Sequence, residues 1–193
     1  MEDGDLLLID AGAEFAFYCS DITRTFPVGR RFSSVQRELY ELVLRAQLAA
    51  IDCIRPGAAY DEPHRKAVGV LIEGLLGLGI LRGSVDENWE TEAYKKFYMH
   101  RTSHWLGMDV HDVGLYRIGD RVRTLEPGFV LTVEPGLYFS PEAPDVPEAF
   151  RGIGIRIEDD VLVTPDGHEV LTATVPKSVE DIEALRDAGS ATP

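Results

Sequence analysis

The sequence predicts a single α+β domain built around an antiparallel sheet. Three observations indicate this class: strand-like segments open the chain, two helical segments follow, and short strand-like segments fill the second half. The chain has 193 residues, 45% of them hydrophobic, and shows no internal repeat or linker. That length fits one domain, and that composition can form a core, which excludes a wholly disordered chain.

The first predicted element is a long hairpin. Residues 6–9 form an apolar run that ends at Asp10, and residues 15–28 are rich in aromatic and β-branched side chains. Apolar runs bounded by turn residues are typical of buried strands. Because neither Asn-Gly nor Asp-Gly lies between the two runs, the position of the turn stays open.

Two amphipathic helices are predicted next. Ser33 and Gln36 have the spacing of a capping box ahead of an apolar run at helical spacing, and the Arg-Pro-Gly of residues 55–57 ends that helix. A second helix is expected to begin near Asp61, with Pro63 in its first turn. Each helix carries one apolar stripe, so the two must pack against each other or against a sheet.

The second half is predicted to consist of short strands after a polar, irregular stretch at residues 83–96. Pro-Gly pairs at 127–128 and 135–136 separate the pieces. The expected strands cover residues 102–110, 129–134, 153–162 and 170–175, and a short helix covers residues 179–185. The predicted domain therefore spans residues 1–186 and leaves residues 187–193 as a tail.

The charge and the cysteines limit the possible functions. Lys and Arg number 19 against 33 Asp and Glu, a formal net charge of −14, which is unlike a protein that binds nucleic-acid phosphates. No apolar run reaches the roughly 18 residues of a membrane span, and the acidic start lacks the basic region of a signal peptide. Cys19 and Cys53 form neither a disulfide framework nor a zinc motif, so a cytoplasmic protein is expected.

Four carboxylates occupy places where a predicted strand should be apolar: Asp10, Asp21, Glu134 and Glu158. A buried carboxylate costs several kcal/mol unless it is paired, hydrogen-bonded or bound to a metal. For each one alone, a turn cap or a salt bridge with an arginine is the simpler interpretation. Together they would repel one another, and few Lys or Arg lie near them in the sequence, so the set favours a cation site.

Three of the five histidines, His100, His104 and His111, lie within 12 residues. His100 and His104 have the spacing of the zinc motif His-Glu-x-x-His, but the glutamate is absent and the motif fails. One imidazole with four carboxylates is an oxygen-rich set that suits Mn²⁺, Co²⁺, Fe²⁺ or Zn²⁺. Four negative charges balance two divalent ions, and two such ions about 3.5–4 Å apart form a recognised hydrolytic arrangement.

Arg156 is predicted to share a strand face with Glu158, because the two are two residues apart. An arginine beside a metal-site carboxylate can position it and help to hold an anionic transition state. The alternative is a surface Arg–Glu pair of little energetic value. Ile153, Ile155 and Ile157 on the opposite face favour a strand that is buried on both sides.

Six segments of the chain match one known family in order. They are residues 10–12 (DAG), 20–27 (SDITRTFP), 103–114 (SHWLGMDVHDVG), 125–128 (LEPG), 132–138 (TVEPGLY) and 152–159 (GIGIRIED). These segments resemble the catalytic domain of the Xaa-Pro aminopeptidases, which are pita-bread metallopeptidases. The resemblance extends to about residue 185. It implies the pita-bread fold, a curved antiparallel sheet with helices on its outer side.

The resemblance implies a role for each candidate ligand. Asp21 and Glu158 would bridge two metal ions, most often manganese. Asp10 would hold one ion, and His104 and Glu134 the other. Glu134 would also be the general base for the attacking water.

The same resemblance implies the substrate and the residues that bind it. His111 would contact the substrate and help to stabilise the tetrahedral intermediate, and His100 and Arg156 would line the proline pocket, with Arg156 counted among the catalytic residues. The implied reaction removes the N-terminal residue from peptides with proline second. The expected partner is thus a peptide, with neither nucleic acid nor membrane, and self-association into a homo-oligomer is left open.

The chain departs from the family pattern in two respects. His100 is usually followed by glycine, and here Arg101 follows it, a bulkier residue that can alter the pocket. In addition, the family's catalytic fold has two related halves, and this chain begins at the strand that carries Asp10. The first half, with one histidine of the substrate pocket, is therefore expected to be missing.

Two alternative functions stay open beside the aminopeptidase. A prolidase, which splits Xaa-Pro dipeptides, uses the same ligand set, but residues 22–25 and 103–107 look more like the aminopeptidase. An inactive fragment or non-catalytic binding module is the other alternative. Such a module is expected to have lost ligands, whereas this chain retains all of them.

Overall fold

Residues 1–188 are described by the computed structural model, and they form eleven strands and four α-helices. The strands are β1 Leu6–Ala11, β2 Glu14–Phe15, β3 Tyr18–Cys19, β4 Ile22–Pro27, β5 Arg117–Ile118, β6 Arg121–Val122, β7 Val130–Val133, β8 Gly136–Tyr138, β9 Gly154–Arg156, β10 Asp159–Thr164 and β11 Gly167–Val170. The helices are α1 Ser34–Asp52, α2 Glu62–Gly77, α3 Val85–Glu90 and α4 Val179–Ala188. The predicted α+β class is confirmed.

Every strand pairing among these residues is antiparallel, as predicted. β1 pairs with β4 along their whole length, β10 lies between β7 and β11, and β8 pairs with β9. A hydrogen bond of 3.0 Å from the Glu158 amide to the Thr23 carbonyl joins the first pair to the others. The short ladders therefore adjoin one another at the point where the candidate ligands lie.

The two long helices pack on each other, α1 also lies against the strands, and together they supply a large part of the core. The predicted capping box is present, since Ser33 Oγ accepts from the Gln36 amide and Gln36 Oε1 accepts from the Ser33 amide. Leu39 and Leu71 are fully buried where α1 packs on α2. α1 also contacts β7, β8 and β9. The helix stripes are buried as predicted, against each other and against the strands.

The predicted second strand, residues 15–28, is interrupted. β2 and β3 form a tight hairpin whose turn residues, Ala16 and Phe17, have positive φ values of 50° and 72°. β4 begins only at Ile22, after this hairpin. The aromatic composition therefore marks strands here, but the turn lies inside the run that was predicted to be continuous.

Other predicted segments also differ. Residues 83–96 are ordered, because Ser84 caps α3 and a 3-10 helix, Ala93–Lys96, follows. Residues 102–110 form no strand beyond a single bridge from Trp105 to Leu131. Residues 153–162 are divided at Glu158, where the backbone bonds to Thr23, and residues 171–175 form no strand.

The ends of the chain add two observations. α4 extends to Ala188, so the first residues of the predicted tail are helical, and residues 189–193 lie outside the described residues. None of the helices within residues 1–188 has both the length and the apolar character that crossing a membrane requires.

A buried polar network fixes the backbone around Glu158. The Asp159 carboxylate is fully buried and accepts from Arg24 at 2.7 Å and from Lys177 at 2.6 Å, and these cations hold its pKa below the usual range despite burial. Arg24 also donates to the Glu158 carbonyl at 2.5 Å. The network ties β4 to β10, so both the amide and the carbonyl of Glu158 are bonded to β4.

Candidate functional site

The predicted ligands lie at the ends of four neighbouring segments. Asp10 is on β1, and Asp21 directly precedes β4. Glu134 directly follows β7, and Glu158 lies between β9 and β10. Because these segments adjoin, residues that are far apart in sequence meet at one place.

Three of the ligands form a compact group. One ligand atom each from Asp21, His104 and Glu158 lies within 4.8 Å of the others. His104 Nε2 is 3.4 Å from Asp21 Oδ2 and 3.5 Å from Glu134 Oε1. Glu134 thus adjoins the group on the His104 side.

The imidazole of His104 is oriented by the backbone. Its Nδ1 lies 3.0 Å from the Trp105 carbonyl, and since a carbonyl only accepts, Nδ1 must carry the proton. In the neutral ring the lone pair is then on Nε2, which points at Asp21 and Glu134. This tautomer, fixed by a hydrogen bond on the other nitrogen, is the arrangement expected of a metal-binding histidine.

Asp10 lies beside Asp21 but is also ion-paired. Its Oδ2 accepts from the Arg156 guanidinium, and its side chain is 50% exposed. Asp10 also lies close enough to Asp21 to help raise the pKa of that carboxyl. Asp10 therefore stands at the open edge of the group, between Asp21 and Arg156.

The carboxylates perturb one another strongly. Burial and then the Glu134 charge raise the pKa of Glu158 to about 8. Burial also raises the pKa of Glu134 to about 7, although Arg156 opposes the shift. Burial and the adjacent Asp10 raise the pKa of Asp21. Without a cation the ionised forms of these groups are disfavoured, because their negative charges are confined in a poorly solvated space.

The donor set fits divalent cations. Four carboxylates and one correctly oriented imidazole face one another, and within residues 1–188 Arg156 is the only arginine or lysine that forms an ion pair with them. Carboxylate oxygens with one imidazole nitrogen suit hard or borderline divalent ions. The raised pKa values indicate an excess of negative charge at the site, and divalent cations would neutralise it.

Two residues without a predicted role connect the site. Thr23, opposite Asp10 in the β1–β4 register, donates its hydroxyl to Glu158 Oε2 at 2.5 Å and accepts from Arg156 Nε at 3.1 Å. Arg156 and Glu158 therefore point to the same side, as the strand spacing predicted. Because Thr23 lies two residues after Asp21, strand parity could have indicated that it faces the site. Its bonds to Glu158 and Arg156 could not be predicted, since those residues are distant in the sequence.

The second such residue is Tyr138, at the end of β8. Its hydroxyl accepts from Arg156 at 3.3 Å and lies 2.8 Å from His100 Nε2. His100 Nδ1 donates to the Arg101 carbonyl, and burial lowers the pKa of His100, so the neutral ring accepts from Tyr138. Tyr138 thereby links the two residues predicted to line the substrate pocket.

A cavity of about 570 Å³ opens beside the carboxylates. The candidate ligands Asp10, His104 and Glu134 line it together with His100, His111 and Arg156, and the remaining lining comes from Tyr60, Arg101, Ser103 and Tyr116. His111 is exposed, and its ring meets that of His104 edge-on at 4.4 Å. All of the predicted substrate-contacting residues thus face one space that adjoins the ligand group.

Gly12 allows the close approach that places Asp21. A Cβ at this position would lie 1.9 Å from the Ser20 carbonyl oxygen. We expect Gly12→Ala to shift Ser20 and Asp21 and to lower metal affinity about 10–100-fold, as for other changes that disturb ligand orientation. Isothermal titration with Mn²⁺ measures this. Gly69→Ala is the control, because a Cβ there meets nothing within 4 Å, and equal affinities of the two variants would contradict the prediction.

Known proteins resemble this chain closely. The sequence model of metallopeptidase family M24 matches residues 1–165. The Xaa-Pro aminopeptidase of Haemophilus influenzae is 55% identical over 185 residues, which cover 96% of this chain and 43% of that protein. The Xaa-Pro aminopeptidase of Escherichia coli is also 55% identical over 185 residues, covering 96% and 42%.

Solved structures agree with the sequence comparisons. The aminopeptidase PepP of Pseudomonas aeruginosa superposes with a TM-score of 0.98 at 57% identity, covering all of this chain and 43% of that one. An alanine variant of E. coli aminopeptidase P in complex with substrate superposes with a TM-score of 0.95 at 53% identity, with the same coverage. The predicted fold is confirmed. The chain spans less than half the length of these relatives.

Proposed function

The chain belongs to metallopeptidase family M24, and from that premise we propose that it carries the metal-dependent aminopeptidase site that releases the N-terminal residue from peptides with proline in second position. The observation that carries the proposal is the meeting of Asp21, His104 and Glu158 within 4.8 Å, beside an open cavity that His104, Glu134 and Asp10 line. The names of the relatives support the aminopeptidase over the prolidase.

The proposed cofactor is a pair of divalent ions, most simply Mn²⁺. Asp10, Asp21, His104, Glu134 and Glu158 would hold them, with Asp21 and Glu158 shared between the two. When bound, two such ions supply an activated water and an electrophile for the peptide carbonyl. The four negative charges of the carboxylates balance the four positive charges of two divalent ions, whereas a single ion would balance only two of them.

The remaining steps belong to side chains of this chain. Glu134, which lines the cavity, accepts the proton of the attacking water and returns it to the leaving amine. Arg156 holds Asp10 in place and directs positive charge at the oxyanion that forms at the carbonyl. His111, whose ring lies beside that of His104, lines the same cavity and donates to that oxyanion.

Proline selection is assigned to the Tyr138 side of the cavity. Tyr138 fixes His100 and Arg156 relative to each other through its hydroxyl. A wall fixed by such bonds can discriminate by shape, because its side chains cannot move aside for a larger residue. The proline ring would pack on His100.

The cellular location and the partners are proposed from the cysteines and the surface. Cys19 and Cys53 are free thiols in the structure, which favours the reducing cytoplasm. The proposed partner is a peptide rather than nucleic acid or a membrane, and a homo-oligomer is compatible with the exposed apolar side chains of Phe15 and Phe17.

The proposal is tested by peptide cleavage after loading with Mn²⁺. A tripeptide with proline second should release its first residue, and a mixture lacking added metal after chelation should not. Cleavage confined to an Xaa-Pro dipeptide would indicate a prolidase. Bound metal without cleavage of either peptide would identify a non-catalytic module and contradict the proposal.

A further inference from the structure

A second cavity of about 280 Å³ adjoins the one that holds the candidate ligands. His100 and Arg101 line both cavities, so these two residues form the wall between them. The second cavity is bounded elsewhere by the start of α2 and by α3 with the 3-10 helix after it. A peptide whose proline lies against His100 would have its following residue at Arg101.

The charges in the second cavity leave one cation without a partner. Arg65 is ion-paired with Asp61 at 3.3 Å, and Lys95 with Glu92 at 2.7 Å. The exposed Arg101 guanidinium forms no hydrogen bond or ion pair with any residue in the described range 1–188. The unsatisfied charge of this cavity is therefore that of Arg101.

Aromatic rings form part of the remaining lining. Trp89 and Tyr94 stack with ring centroids 5.9 Å apart, and Tyr98 packs on His64. Burial, and next the Arg101 charge, lowers the pKa of His64 to about 4, so that ring is neutral and adds no second charge. The cavity thus combines aromatic rings with two internal ion pairs and one guanidinium that is unpaired within residues 1–188, which suits a group that carries a carboxylate.

Resting on the proposed function, we propose that Arg101 is a specificity-determining residue that binds a carboxylate of the peptide on the far side of the proline, with the second cavity receiving that part of the substrate. The carboxylate is either the C-terminus of a tripeptide or an acidic side chain at the third position.

The test compares peptides that differ only in this charge. The substrates are Ala-Pro-Ala with a free C-terminus, Ala-Pro-Ala amide, Ala-Pro-Asp amide and Ala-Pro-Asn amide. The Mn²⁺-loaded chain should favour the free acid over its amide in kcat/KM by about tenfold, the value of one charge-assisted hydrogen bond, with the difference in KM. The Asp against Asn pair shows whether a side-chain carboxylate is accepted as well.

Variants assign the preference to Arg101. Arg101→Gly, which restores the usual residue, and Arg101→Gln should both reduce the acid-to-amide ratio to about one, while Arg101→Lys should keep part of it. Arg82→Gln, another exposed arginine, is the matched control and should leave the ratio at about ten. Dissociation constants of the same peptides, measured by calorimetry on a Glu134→Gln background, should show the same ratios without turnover.

Two outcomes would overturn the inference. Cleavage of the acid and the amide at equal kcat/KM, or a ratio that survives in Arg101→Gln, would contradict the role of Arg101 while leaving the proposed function intact. A metal-loaded chain that neither binds nor cleaves any of the four peptides would overturn the proposed function, and this inference with it.

Discussion

Replacing Glu134 by glutamine is expected to lower kcat on a proline-second tripeptide by roughly a hundredfold to ten-thousandfold. The amide keeps the shape of the side chain and its contact with Thr132, but it cannot accept the proton of the attacking water. Steady-state kinetics measure the loss, and calorimetric binding of the uncleaved peptide shows that the site is still formed. Since Glu134 is proposed both as base and as metal ligand, elemental analysis for Mn²⁺ distinguishes a lost base from a lost ion.

A glutamate remote from the cavity provides the control. Glu126→Gln changes an exposed residue of the same type whose ion pair with Arg123 is long, at 3.7 Å, so its kcat should stay close to that of the unmodified chain. If Glu134→Gln retained activity within a few fold, Glu134 would not be the base, and the proton acceptor would have to be sought elsewhere in the cavity.

Removing metal is expected to make the stability of the chain fall as the pH rises. The pKa values of Glu134 and Glu158 are raised from 4.5 to about 7 and about 8 in the folded state. Raised acid pKa values mean that the folded chain binds more protons than the unfolded chain. Their contribution is therefore fully present below pH 4.5 and is lost as the pH rises through about 7 and 8.

Divalent ions should reverse this loss, since they stabilise the ionised carboxylates. At a free Mn²⁺ concentration about a thousandfold above Kd, one site adds about 4 kcal/mol to the free energy of unfolding. Thermal unfolding between pH 5 and pH 8.5, with chelator and with Mn²⁺, measures both effects. A melting temperature that rises with pH in chelator, or that Mn²⁺ does not change, would contradict the assignment of these carboxylates.

The features that the sequence predicts best are those with a local cause. The capping box at Ser33 and the helix that follows require only neighbouring residues. The carboxylates were recognisable because each interrupts or ends an apolar run, where a charge needs a special reason. The order of the segments around them then linked the chain to its family.

The features that the sequence did not predict depend on long-range contacts. The interruption of the strand at Glu158 arises because its amide bonds to Thr23, which lies in another half of the chain. Thr23 and Tyr138 join site residues through hydroxyls, and nothing in their immediate sequence indicates those partners. The ion pair of Asp10 with Arg156 depends in the same way on how β1 meets β9.

The amount of Mn²⁺ bound per chain, determined by elemental analysis after dialysis, decides whether the carboxylates and His104 form a metal centre. We expect two ions per chain, a marked loss in Asp21→Asn because that carboxylate would serve both ions, and no change in Asp86→Asn, an exposed aspartate on α3. A chain that binds no metal, or that binds it equally well in both variants, would contradict the claim that these carboxylates and His104 form a metal centre.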